Sequence, residues 1–261
     1  MAHILVIGGS DSSGGAGIAR DLRTLSDLDP EIVGIPVITA VTAQTNTCVQ
    51  TVHLVPPAVV ADQIATALDS HAIRAIKIGM LGSRGIVETV ARSLPSRDVI
   101  AIVMDPVLAA SSGRALLDEA GRLALIEQLL PRVTLVTPNL PEAAALLGEA
   151  AAADHADRQI ELGRRLRALG PEAVLVKGGH ANHADANDIL VSAGEVVVTL
   201  SAPRLPGTMR GTGCALSSAI AAGLARGLPL TDACREAKRY LTSRWLPVPA
   251  DLVPGFHGRR S

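Results

Sequence analysis

Aromatic side chains are nearly missing from this chain of 261 residues. Tyr240, Trp245 and Phe256 are the whole set, 1% of the sequence. A platform on which single-stranded nucleic acid could stack needs more rings than that. Cysteine is scarce too. Cys48, Cys214 and Cys234 are too few and too irregularly spaced for a disulfide framework or a zinc site. Neither sign of charge is in excess: 24 Lys and Arg against 25 Asp and Glu leave a net charge of −1, with no basic footprint for DNA or RNA. No apolar run is long enough to span a membrane, and residues 1–9 lack a basic start and a cleavage site. The expectation is a soluble, cytoplasmic protein that engages neither nucleic acid nor membrane.

What is abundant is Ala, Val, Leu and Ile, within a hydrophobic share of 48%. Such a core suits a buried parallel sheet under helices. The pattern along the chain alternates. Strands are expected at residues 4–8, 33–41, 75–79, 99–104, 133–137 and 173–176, with a hairpin at 189–200 around Ala193-Gly194. Helices are expected at 14–28, 57–68, 83–94 (capped by Ser83), 119–130, 141–147, 154–169, 212–226 and 231–244. Residues 150–157, rich in Ala and Asp, read as a loop into a helix. This is an α/β chain with a mainly parallel central sheet flanked by helices. One domain is expected over residues 1–261, with 246–261 a loose tail. Ligands of such sheets gather at the carboxyl ends of the strands.

The most informative stretch is Arg210-Gly211-Thr212-Gly213-Cys214, which opens a small-residue helix. Glycines there let backbone N–H groups face an anion, and the helix N-terminus favours negative charge. Cys214 falls in the first turn, where a thiolate is favoured and serves as base or nucleophile. A phosphate cradle beside a proton acceptor suits phosphoryl transfer to a hydroxyl group. A glycine cap and a buried cysteine would look similar.

Other polar motifs also fall where strands end. Gly8–Gly17 is glycine- and serine-rich, but its spacing is not that of a dinucleotide-binding loop. Asp105-Pro106 ends one strand. Asn139 and Glu142 lie one helical turn apart, a spacing that orders the water shell of Mg²⁺ or forms a helix cap. Lys177-Gly178-Gly179 suits a nucleotide phosphate. His180 and His183 lie in a solvated loop and are not read as metal ligands.

Taken in order, Gly8–Ile18, Ala43-Gln44, Lys77–Met80, Asp105–Val107, Thr137–Ala143, Lys177–His180 and Gly211–Cys214 resemble the hydroxymethylpyrimidine/phosphomethylpyrimidine kinases of thiamine biosynthesis, in the ribokinase-like superfamily. The resemblance covers about residues 3–245. It implies a three-layer ribokinase-like fold, a homodimer, and ATP- and Mg²⁺-dependent phosphorylation of 4-amino-5-hydroxymethyl-2-methylpyrimidine, and often of its monophosphate. Carried over by motif, Gln44 and Asp21 would bind the polar edge of the pyrimidine, and Gly9, Met80 and Val107 would line its faces. Asn139 and Glu142 would hold the Mg²⁺ water shell, with Asp105 nearby. Lys177, Gly178 and Gly179 would meet the nucleotide, with Thr212 beside it. Gly211 and Gly213 would form the anion hole, and Cys214 would take the hydroxyl proton.

The chain departs from that pattern at four places. Ser12 replaces Pro, Ser111 replaces a Lys, Arg210 replaces His, and Thr45-Asn46 inverts Asn-Thr. Arg210 is expected to restore positive charge at the mouth of the anion hole. Two other readings stand beside the leading one: a pyridoxine/pyridoxal kinase of the same superfamily, and a non-catalytic pyrimidine-binding sensor, motivated by Ser111. A cysteine hydrolase built on Cys214 lacks a positioned His partner.

Overall fold

The computed structural model describes residues 1–110, 112–150, 156–178, 185–195, 197–204 and 209–244. Ser111, Gly179, His180, His183, most of the 150–157 loop and the expected tail lie outside the described residues. Among the described residues, nine strands form one sheet: β1 (Ala2–Asp11), β2 (Ile32–Gln44), β3 (Val49–Leu54), β4 (Ile73–Ile78), β5 (Ala101–Met104), β6 (Leu135–Val136), β7 (Ala173–Val176), β8 (Asp185–Val191) and β9 (Val197–Pro203). Their order is β3-β2-β1-β4-β5-β6-β7-β8-β9. The six from β2 to β7 run parallel, while β3 at one edge and β8 near the other run antiparallel to their neighbours.

Strict alternation of apolar residues builds the core on both faces. Leu5 and Ile7 of β1, Ile76 and Ile78 of β4, and Val174 and Val176 of β7 enter one cluster. Ile4 and Val6, Ala75, and Ala173 and Leu175 enter the other. The first cluster is covered by α2 (Pro57–Ser70), α3 (Arg84–Ser93), α5 (Leu140–Leu146) and α6 (Ala156–Arg167), with α4 (Glu119–Ala124) beside them. The second is covered by α1 (Gly17–Leu28), α7 (Thr212–Ala225) and α8 (Leu230–Ser243). Their small faces (Ala219, Ala221, Ala222, Ala233 and Ala237 are all buried) let α7 and α8 pack closely without aromatic side chains.

Three expectations are corrected here. The first strand runs through the glycine-rich stretch to Asp11 rather than stopping at Gly8, because Gly9, Ser10 and Asp11 pair with Ala40, Val41 and Thr42 after a register shift. The helix expected at 119–130 breaks into α4, a π turn over Leu125–Leu129 and a 3-10 turn over Leu130–Arg132, since Pro131 has no N–H to continue it. Ser83 stands at the start of α3, but its side chain makes no capping bond.

Candidate active site

The carboxyl ends of the parallel strands and the N-terminus of α7 surround a cleft of about 1490 Å³. Gly9 comes from β1, Gln44 from β2, Met80 from the turn after β4, Asp105 and Val107 from the turn after β5, Asn139 from the cap of α5, Glu142 from its first turn, and Lys177 from beyond β7. Arg210, Gly211, Thr212, Gly213 and Cys214 complete the lining. Gly178 does not line this cleft. It packs against β8, with its N–H donating to Asp188 Oδ1 at 3.1 Å.

Gly211 precedes α7 in the left-handed conformation, φ 71°, and a side chain there would collide with the Gly15 carbonyl. That requirement fixes glycine at the position. A Cβ on Gly213 would stand 2.9 Å from Asp105 Oδ2 and 3.1 Å from Lys177 Nζ. The backbone at the α7 N-terminus therefore approaches two charged groups directly.

Lys177 Nζ donates to Asp105 Oδ1 at 2.8 Å and lies 3.9 Å from Glu142 Oε2. Burial works against its ammonium, but Asp105 and Glu142 outweigh that and hold its pKa above the ordinary lysine value. Asn139 and Glu142 form a full capping box. Asn139 Oδ1 accepts from the Glu142 N–H, and Glu142 Oε2 accepts from the Asn139 N–H, each at 2.8 Å. The cap thus exists, and it aims Glu142 at Lys177. Burial pushes the Glu142 carboxyl up to about 7, with Lys177 pulling it down and Asp105 adding to the rise.

Three sequence expectations change at this site. The Cys214 thiolate was expected to be favoured by the helix start, but burial pushes the thiol up to about 11, with Lys77 pulling the other way. Asp21 was expected on the pyrimidine edge. It is fully buried, bound by Lys77 Nζ at 2.8 Å and by Ser218 Oγ at 2.9 Å, so both oxygens already have protein partners. Arg210 was expected to place charge over the anion hole. Its guanidinium instead donates to Asp11 Oδ2, Ser13 Oγ, the Thr45 carbonyl and Asn46 Oδ1 at 2.9–3.3 Å.

Gln44 is held from two sides. Ser12 Oγ accepts from the Gln44 N–H and donates to its carbonyl, both at 2.9 Å, a pairing proline could not make. Thr42 Oγ1 donates to Gln44 Oε1 at 3.2 Å. Sequence reading gave no role to Lys77, Asp11 or the Asp188–Lys238 pair, whose Nζ to Oδ2 distance is 2.7 Å. Lys77 carried a usable signal, a lysine inside the apolar run Ala75–Ile78.

Comparison with known proteins agrees with this geometry. The family model described as phosphomethylpyrimidine kinase matches residues 11–247. A hydroxymethylpyrimidine/phosphomethylpyrimidine kinase of Rhizobium meliloti strain 1021 is 45% identical over 244 residues, covering 92% of this chain and 89% of the relative. The crystal structure of a phosphomethylpyrimidine kinase from Clostridium difficile 630 superposes with a TM-score of 0.80 at 36% identity, covering 93% of this chain and 99% of that one. The Staphylococcus aureus pyridoxal kinase in complex with AMP-PCP and pyridoxal superposes with a TM-score of 0.82 at 29% identity, covering 93% of this chain and 87% of that one. With its family model spanning nearly the whole chain and its cleft built from the same motifs, the protein belongs to the phosphomethylpyrimidine kinase family.

Proposed function

We propose that this chain transfers the γ-phosphoryl group of ATP to the hydroxymethyl oxygen of 4-amino-5-hydroxymethyl-2-methylpyrimidine, and then phosphorylates the monophosphate. The observation that carries this reading is one cleft lined by Gln44 and Met80, by Lys177, and by the α7 N-terminus with Cys214. Gln44 offers an amide to the polar edge of a flat ring, and Gly9, Met80 and Val107 offer its faces apolar contact. Gly211, Thr212 and Gly213 present backbone N–H groups where charge develops on the transferring group. Phosphoryl transfer asks mainly for positioning and neutralisation of charge, which this arrangement supplies. Cys214 receives the hydroxyl proton as its thiolate, the form that burial opposes and Lys77 favours.

The donors around Lys177 also suit Mg²⁺. Asp105 and Glu142 are hard oxygen donors, and Asp105 adds to the rise of the Glu142 carboxyl, a repulsion a dication would relieve. No cluster of three acidic or soft ligands occurs among the described residues, so the fit is to a hydrated ion held through its waters by Asp105, Glu142 and Asn139. Mg²⁺ held there would supply neutralisation of phosphate charge. Lys177 lies beside the same carboxylates and would meet the phosphates. The same reading takes the protein to be a single-domain, cytoplasmic homodimer.

Pyridoxal is the second substrate to weigh, because the S. aureus pyridoxal kinase superposes so well. ADP release with Mg-ATP against the hydroxymethylpyrimidine, its monophosphate and pyridoxine separates them. Release with both pyrimidines and little with pyridoxine is the expected result. Release with pyridoxine alone would overturn the substrate, and a melting shift with no release in any lane would favour a sensor.

A further inference from the structure

Beneath the anion hole lies a charged pair that the transfer as set out above does not use. Lys77 sits in β4 between two parallel strands with 1% of its side chain exposed, and donates to the fully buried Asp21 of α1 at 2.8 Å. Two ions taken out of water lose more hydration than their attraction reliably returns, so the pair is a poor device for stability. Its position is more informative. The second oxygen of Asp21 accepts from Ser218. Ser218 follows Cys214 by four residues, so both lie on one face of α7. That helix packs on α1, β4 and β5. Gly79, two residues beyond Lys77, leaves open a space where a Cβ would stand 2.8 Å from Nζ. Lys77, Asp21 and Cys214 all reach the floor of the cleft.

We propose that Lys77 is a positioning residue for the transfer: its ammonium, oriented by Asp21, supports negative charge on Cys214 Sγ, the atom that takes the hydroxyl proton. The inference rests on the kinase reading above. In that step Cys214, its own proton lost to solvent, acts as the thiolate: the substrate O–H bond breaks and its proton goes to Sγ. The oxygen forms a bond to the γ-phosphorus as the bond to ADP breaks, and ADP leaves with that electron pair. The charged groups that act on Sγ are Lys77 from β4, Asp21 from α1, Asp105 after β5 and Lys177 after β7. The two carboxylates oppose a thiolate, and the Lys77 ammonium favours one.

The test uses Cys214 alkylation by iodoacetamide at pH 9, read by peptide mass in a Cys48→Ser background, without nucleotide or pyrimidine. Cys234 is fully buried and stays silent. Only the thiolate reacts, so Lys77→Met should slow alkylation about tenfold and Asp21→Asn should speed it by a similar factor. A purely structural pair would loosen the site in both variants and speed both reactions, which would overturn the inference. If Lys77→Met does not fold, Asp21→Asn/Lys77→Met takes its place, with alkylation expected to be slower than in Asp21→Asn. In ADP release, Lys77→Met should lower kcat about tenfold or more while KM for the pyrimidine stays within about twofold. Opposite alkylation shifts in a protein that forms no ADP would keep the charge coupling and remove the kinase reading. Equal rates in an active kinase would remove Lys77 and leave that reading standing.

Discussion

Arg210 Nη2 stands 3.3 Å from Asp11 Oδ2, and this contact joins the N-terminal end of α7 to the last residue of β1. The other nitrogen of the same fork reaches Ser13, Thr45 and Asn46, so one side chain ties three segments around the cleft. Arg20 adds a bond to the Arg210 carbonyl at 3.2 Å. Ser12, Thr45, Asn46 and Arg210 therefore meet in one place and hold the turn that carries Gln44. Arg210→Ala should raise KM for the pyrimidine about tenfold, as expected when a part-buried charged hydrogen-bond network is cut. Asn46→Ala added to it should cost little more, because both act through one network. Full additivity of the two changes in KM would contradict the shared network.

Glu142 gives a pH signature. Its carboxyl rises from an ordinary value of 4.5 to about 7 on folding, through burial. Between those pH values the folded protein binds more protons than the unfolded chain, so stability falls as pH rises through the window. Glu142→Gln keeps an oxygen for the capping box and removes the titration. Melting temperatures measured with a chelator from pH 5 to 8 should show the variant gaining on the parent by several degrees. A constant gap across the range would refute the assignment.

Gly213→Ala tests how tightly α7 meets the charged pair below it. The new methyl group would press on Asp105 Oδ2 and Lys177 Nζ. Overpacking of this kind costs about 1–3 kcal/mol, so a folded variant with a modestly lower Tm is expected. Its kcat should fall much more than its stability, at least about a hundredfold if one anion-hole donor is displaced. Parent-like turnover would show that the Gly213 backbone does not face the transferring group.

Much of the sheet was legible because its strands are continuous apolar runs punctuated by glycine, as at Ala173–Val176, which the structure reproduces residue for residue. β3 was missed. Its residues Val49–Leu54 carry Gln, Thr and His on an edge facing solvent, so neither alternation nor apolarity marks them. The site residues were legible as motifs, but their electrostatics were not. A helix start at Cys214 is visible in sequence, whereas the desolvation that outweighs it depends on what packs around the thiol. Asp21 and Lys77 are 56 residues apart, and no local pattern shows that each consumes the other's charge. Arg210 read as a free cation for the same reason: its four partners lie up to 199 residues away in the chain.

Cys214 offers the most direct test of the account. The parent and Cys214→Ala, each with Mg-ATP and the hydroxymethylpyrimidine, would be followed by phosphorus NMR, with pyrimidine binding measured separately by calorimetry. The account predicts a new phosphomonoester resonance in the parent, loss of nearly all turnover in Cys214→Ala, and pyrimidine affinity near that of the parent. A parent that binds the pyrimidine but forms no phosphomonoester, or a Cys214→Ala variant that forms it at the full rate, would contradict it.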